Sequence, residues 1–287
     1  MKQSKRKNTK FRDIVHRFMK NKAAVIGLVL LVIIILMAVF ANAIMPYDKA
    51  IALNPSQLLK KPSLEHPFGT DNYGRDMFAR VAHGAKYTLL IGVFCSVMAL
   101  IFGGFLGASS CLIGGAYDFV IMRVSDAVST LPTVLLSIVI VTALGPSLEN
   151  LLIAMIISNI PKFIRITRSA VLSYVDMDFV EASRACGAGQ MYVLFDHIIP
   201  NAIGPVIVYT TTCISTLILQ AAGLSYMGLG VQPPAPEWGS MLSSLKEYFL
   251  PAPYLMLFPG LAIILSALAF NLMGDGLRDA LDPKLKN

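Results

Sequence analysis

The 22 residues from Ala23 to Ile44 carry no charge and a single amide, Asn42. As a helix the run rises about 33 Å, enough to cross a hydrocarbon core of about 30 Å. No soluble fold offers room for a stretch that is apolar on every face unless it lies at the centre of a large core. Similar runs recur along the 287 residues, of which 55% are hydrophobic and only 14% charged. A water-facing surface needs about 25% charged residues, so the chain reads as an all-α integral membrane protein.

Six spans can be drawn: about 23–44, 87–112, 120–144, 147–164, 202–227 and 254–273. The fourth is short and contains Asn159 and Pro161, which predicts shelter by protein rather than lipid. The chain divides into a basic segment 1–22, the first span 23–44, a polar segment 45–86 and a core 87–287 whose longest polar loop covers about 165–201.

Nine Lys/Arg fall in residues 1–22: Lys2, Lys5, Arg6, Lys7, Lys10, Arg12, Arg17, Lys20 and Lys22. A nucleic-acid arm has this composition. Here the basic run leads straight into the apolar one, so the positive-inside rule is the simpler account. It places both termini in the cytoplasm, with 17 Lys/Arg inside and seven outside. The "ANA" at 41–43 resembles a signal cleavage site, but the preceding run exceeds the 7–15 residues of a signal peptide. Trp238, Tyr248, Phe249 and Tyr254 read as an interfacial aromatic belt.

No acid or base stands deep within the spans as drawn, which disfavours an ion-coupled carrier. The sequence has no G-x-S-x-G, no H-E-x-x-H and no G-x-x-x-x-G-K-[ST]. A membrane enzyme is therefore disfavoured, and the chain holds no nucleotide by itself. Cys95, Cys111, Cys186 and Cys213 show no C-x-x-C spacing and read as small buried side chains.

The polar loop contains "DFVEASRACGAGQMYVLFDHIIPN", 178–201. Asp178 is placed to cap a short helix, and Glu181 sits in its first turn, where the helix dipole favours a negative charge. Phe179, Ala182 or Ser183, and Cys186 share one face by helical spacing. Gly187 and Gly189 end the helix, small residues allow close approach of another backbone, and a second amphipathic helix leads to Pro200. The segment reads either as a plain connector or as a docking element for an external motor.

The spacing Glu181-Ala182-Ser183, Gly187, His197-Ile198-Ile199-Pro200 resembles the EAA loop of binding-protein-dependent ABC importers. Within that family, "HIIPN", "HPFGTDNYGRDMFARVAHGAKYTLLIG" (66–92), "LSYMGLGVQPPAPEWGSML" (224–242) and "FNLMGDGLRDALDPKLK" (270–286) resemble the dipeptide, oligopeptide and nickel permeases. Ser183, His197 and Ile199 depart from the loop pattern, and Ala221 stands where the family often has an acid.

The resemblance implies a type I importer permease fold in a bacterial cell membrane, paired with a paralogous permease, two cytoplasmic ABC ATPases and an extracytoplasmic binding protein. It implies no cofactor in this chain, since ATP and magnesium belong to the ATPases, and it implies no nucleic-acid partner. Asp178, Phe179, Glu181, Ala182, Ser183, Gly187 and Pro200 would form the ATPase dock. Arg75, Asp76 and Arg80 would either receive the binding protein or form a local ion-pair network. Pro233, Pro234 and Trp238 would contact it from the outer loop. The implied cargo is a di- or oligopeptide, with nickel chelates and glutathione as alternatives.

Overall fold

The computed structural model describes residues 12–281. Lys2, Lys5, Arg6, Lys7, Lys10, Lys284 and Lys286 lie outside the described residues. Regular structure among the described residues is helical, apart from one isolated bridge pairing Thr70 with Asp76. After a helix over 12–20 come α1 (Lys22–Ile44), α2 (Met77–Ile113), α3 (Gly115–Ser129), α4 (Thr133–Leu144), α5 (Leu148–Val175), α6 (Asp178–Ala185), α7 (Ile199–Tyr226), α8 (Trp238–Leu245) and α9 (Tyr254–Leu281).

Caps fix where the long helices start. Asn21 Oδ1 accepts the Ala24 N–H at 3.2 Å to open α1. Asp76 Oδ1 accepts the Ala79 N–H at 2.8 Å to open α2, so α2 begins ten residues before the expected position of 87. Ser147 Oγ accepts the Asn150 N–H at 3.1 Å to open α5. Each cap satisfies a donor that the first helical turn leaves unpaired.

Two spans differ from expectation. Residues 120–144 do not form one helix. They break between α3 and α4, which meet at 84°. Pro132 takes ψ 132° and stands at the N-cap of α4, and its ring also disfavours helical backbone in Leu131 before it. The twelve residues of α4 rise only about 18 Å, less than a full crossing. The fourth span does not end near 164: α5 runs unbroken to Val175 with Pro161 buried inside it, and Lys162 therefore stands in mid-helix. Of the five helices long and apolar enough to cross a bilayer alone, α5 is the most buried, in keeping with the shelter expected for Asn159 and Pro161.

The most extensive packing joins α2 to α5. It requires Gly103, where an added Cβ would lie 2.6 Å from Phe163 Cβ and 2.7 Å from the Ile160 carbonyl oxygen. A second layer joins α7, α9 and α1. Asn21 Nδ2 donates to Asp279 Oδ2 at 2.9 Å, so the end of α9 packs on the start of α1. Ile33, Phe40, Phe94, Phe105, Leu135 and Ile264 are exposed on the bundle's outer faces, which in a membrane protein meet lipid.

Candidate docking loop between α5 and α7

α5 ends at Val175, and the chain turns through Asp176 and Met177 into α6. Met177, not Asp178, is the N-cap, and no side chain caps the helix; Asp178 and Glu181 both fall in the first turn, where the helix dipole favours them. The face turned to the protein is set by Val180, a residue that helical spacing alone does not single out. Val180 is fully buried, packed in a cluster with Val171, Val193, Leu194 and Ile198, whereas Phe179 is 39% exposed. This rotation follows from the apolar cluster, which offers a β-branched side chain a closed site. Glu181, Ala182, Arg184 and Cys186 face outward, and Ser183 is half-buried.

The helix ends in a Schellman motif. Gly187 takes φ +80°, its N–H donates to the Arg184 carbonyl at 2.9 Å, and the Ala188 N–H donates to the Ser183 carbonyl at 3.1 Å. Gly189, in contrast, has φ −68° and opens the next turn. The expected second helix is not separate. Gln190–Tyr192 passes into a wide turn at Val193–Ile198 that runs directly into α7. Pro200 near the start of α7 lacks the N–H that would bond the Asp196 carbonyl, and the backbone opens to five-residue spacing around that gap.

The loop therefore presents an eight-residue helix held inward by one side chain. Asp178, Glu181 and Arg184 form no ion pair with the described residues, and Phe179, Met191, Tyr192 and Phe195 are large exposed apolar groups. Met191 and Phe195 also line an apolar cleft of about 620 Å³ with Phe105, Leu112 and Ile203. Beside the loop, Arg168 Nε and Nη2 donate to Asp118 Oδ1 and Oδ2, both at 2.7 Å, which ties α3 to α5.

The 45–76 segment lies at the opposite end of the bundle. Arg75, Asp76 and Arg80 are each 3% exposed and form a local network. Asp71 Oδ2 accepts from Arg75 Nε at 2.7 Å and lies 3.5 Å from Arg80 Nε. Arg80 Nη1 donates to the Ala50 carbonyl at 2.7 Å, and His66 Nδ1 lies 2.6 Å from Asp76 Oδ2. In this structure these three side chains offer no surface to a partner, and the ion-pair reading is the one the geometry supports.

Trp238 is likewise fully buried, donating Nε1 to the Val81 carbonyl at 2.9 Å. It is a core side chain, neither part of an interfacial belt nor a contact surface. Pro233 and Pro234 are exposed. Glu237, also fully buried, accepts the Gly239 and Ser240 N–H groups at 2.9 and 2.8 Å; burial outweighs these donors and raises its carboxyl above the ordinary range.

Sequence reasoning missed Val180, Asp71, Glu237 and Lys162. Val180 had a partial signal, as one of two apolar residues, with Phe179, between Asp178 and Glu181. Lys162 lies two residues from the end of the span drawn at 147–164, so its place in mid-helix is hidden by ending that span too early.

Long apolar helices packed as a bundle define the class: an all-helical, multi-pass integral membrane protein. Residues 87–287 match the family described as binding-protein-dependent transport system inner membrane component. Residues 9–62 match the N-terminal transmembrane domain of oligopeptide transport permease C.

The chain is 45% identical over 277 residues to the dipeptide transport system permease protein DppC of Alkalihalophilus pseudofirmus, covering 96% of this chain and 91% of the relative. It is 46% identical over 283 residues to DppC of Escherichia coli strain K12, covering 97% and 94%. It is 41% identical over 278 residues to the glutathione transport system permease protein GsiD of Escherichia coli O6:K15:H31, covering 97% and 92%. A chain of the MetNI methionine ABC transporter in an inward-facing conformation shares the fold, with TM-score 0.60, 17% identity, and coverage of 72% of this chain and 98% of that one.

The chain belongs to the family of inner-membrane components of binding-protein-dependent transport systems, and it is a permease subunit of the ABC importer type.

Proposed function

We propose that the chain forms half of the translocation path of an ATP-driven importer for di- or oligopeptides. It would pair with a paralogous permease, two cytoplasmic ATPases and an extracytoplasmic binding protein. ATP and magnesium would be held by the ATPases, with none in this chain. The carrying observation is the α5–α7 loop: a short acidic helix with outward-facing small residues, closed by Gly187 at φ +80° and followed by a wide turn that runs into α7. A loop of this build suits insertion into a partner's groove. Asp178, Phe179, Glu181, Ala182, Ser183 and Gly187 would form the contact, and Pro200 would mark the stiff junction that carries motion into the bundle.

With the loop in the cytoplasm, both ends of the chain lie inside, as the distribution of basic residues favours. Closure of the ATPases on ATP would draw the loops of the two permeases together and bias the bundle toward one of two states, which is the requirement for coupling. At the other end of the bundle, Pro233 and Pro234 remain exposed and are the members of the outer set free to meet a binding protein.

Peptide cargo rests on the dipeptide permeases at 44–46% identity. Glutathione, itself a peptide, is the second reading, on the relative at 41%. Mass spectrometry of ligands retained by the cognate binding protein decides between them. Dipeptides of varied sequence support the first reading, glutathione alone supports the second, and a nickel chelate or a non-peptide ligand overturns both.

A further inference from the structure

α5 carries three basic residues at three-residue spacing: Lys162, Arg165 and Arg168. Arg168 is neutralised by Asp118 at 2.7 Å and Arg165 by Asp126 at 3.1 Å. Lys162 has no carboxylate of the described residues within ion-pair distance. Its nearest polar partner is neutral, the Asn159 Oδ1 at 3.4 Å, and it is half-buried, not sealed.

Depth makes this unusual. Glu149 stands in the first turn of α5, and thirteen residues at 1.5 Å place Lys162 about 20 Å further along the axis. Arg168 lies about 9 Å beyond Lys162, so Glu149 and Arg168 bracket about one hydrocarbon thickness with Lys162 inside it. An ammonium at that depth facing lipid is costly and rare; charges there face a partner or a water-filled route.

The neighbouring surface carries polar groups among apolar ones. One turn from Lys162, Ile166 lines a cavity of about 540 Å³ together with Tyr209, Thr212, Asn201, Asp275 and Arg278. On α7, Thr216 is exposed at membrane depth and donates to no described acceptor. Gln220 Nε2 donates to Ser137 Oγ at 2.9 Å, which lies 2.7 Å from Ser158 Oγ. Thr212, Thr216 and Gln220, at four-residue spacing, form one stripe of α7.

We infer that Lys162 faces the translocation path and receives the carboxylate of a substrate in transit, with the Thr212–Thr216–Gln220 stripe lining the same route. This rests on the proposed peptide cargo, whose C-terminal carboxylate is the anion available to every substrate. A charge-assisted contact is worth enough to change transport about tenfold.

The test uses the full importer reconstituted with its binding protein. Lys162→Gln is expected to lower the maximal dipeptide uptake rate about tenfold with the half-saturating concentration unchanged, and Lys162→Arg to stay within about twofold. In a chain whose native cysteines are replaced, Lys162→Cys should react with water-soluble thiosulfonates, and dipeptide should slow the reaction. An aminoethyl adduct should restore uptake, and a sulfonatoethyl adduct should leave it low.

An unreactive thiol in the Lys162→Cys variant overturns the inference, as does equal uptake with either adduct or wild-type uptake by Lys162→Gln. Loss of subunit assembly in Lys162→Gln overturns it in favour of a pair with the partner permease. Absence of dipeptide uptake by the wild type instead refutes the cargo reading and is read separately.

Discussion

Gly187 and Gly189 stand two residues apart in the same loop, yet the structure assigns them different consequences when changed. Gly187 has φ +80° and closes α6 through the paired hydrogen bonds from its own N–H and that of Ala188. Gly189 has φ −68°, which any residue adopts. A Cβ at either position meets nothing within 4 Å, so the contrast is purely one of backbone conformation.

Placing an L side chain in the left-handed region costs about 1–2 kcal/mol, a factor of about 5–30 in a two-state population. α6 is eight residues long with one buried anchor, and a helix that short has little reserve of its own. Gly187→Ala should therefore lower the equilibrium ratio of formed to unformed α6 by about that factor, and Gly187→Val by more, because its branched side chain is the less tolerant of positive φ. Gly189→Ala should be neutral. The assay is ATP hydrolysis stimulated by loaded binding protein in proteoliposomes, alongside hydrogen exchange of the 183–188 amides. Full stimulation in Gly187→Ala, or an equal defect in Gly189→Ala, refutes the reasoning.

Three further outcomes follow from the packing. Val180→Ala removes two buried carbon groups from the anchor, a loss of about 2 kcal/mol, and should expose Asp178–Ala185 to proteolysis while the bundle stays folded. Trp238 is the only tryptophan and is fully buried, so intrinsic emission should be blue-shifted and resist iodide quenching; Trp238→Phe should extinguish it at a cost of about 1 kcal/mol for the lost hydrogen bond. The Glu237 carboxyl is raised above the ordinary range, so its contribution to stability is full below that range and is lost as pH rises through the raised value. The melting midpoint followed by Trp238 fluorescence should accordingly fall as pH is raised above the ordinary carboxylate range, and Glu237→Gln should flatten that dependence.

Much of this architecture is legible in the amino-acid sequence. Apolar length located α1, α7 and α9, since lipid imposes helix on every such run. The α6 loop was legible because acids, small residues and glycines interrupt an apolar chain. What escaped was set by tertiary contacts or by punctuation inside apolar stretches. Pro132 was visible, but continuous hydrophobicity on either side concealed the 84° break. Val180 turns inward because Val171, Val193 and Ile198 are there to meet it, a fact that spacing within α6 cannot supply. Arg75, Asp76 and Arg80 suit either a binding-protein contact or a local ion-pair network on sequence alone, and Trp238 reads as a surface aromatic because aromatic residues collect at interfaces. Their burial depends on Asp71 and the Val81 carbonyl, each reached through folding.

The central claim is that α6 seats in an ATPase subunit. Site-specific photo-crosslinking tests it most directly, with benzoylphenylalanine placed in turn at Phe179, Met191 and Leu64 in the assembled importer. Phe179 and Met191 are exposed on the loop, and Leu64 is exposed at the opposite end. An adduct of ATPase mass from position 179, with none from 64, is the predicted result. Assembled complexes that give no ATPase adduct from 179, or the same adduct from 64, contradict it.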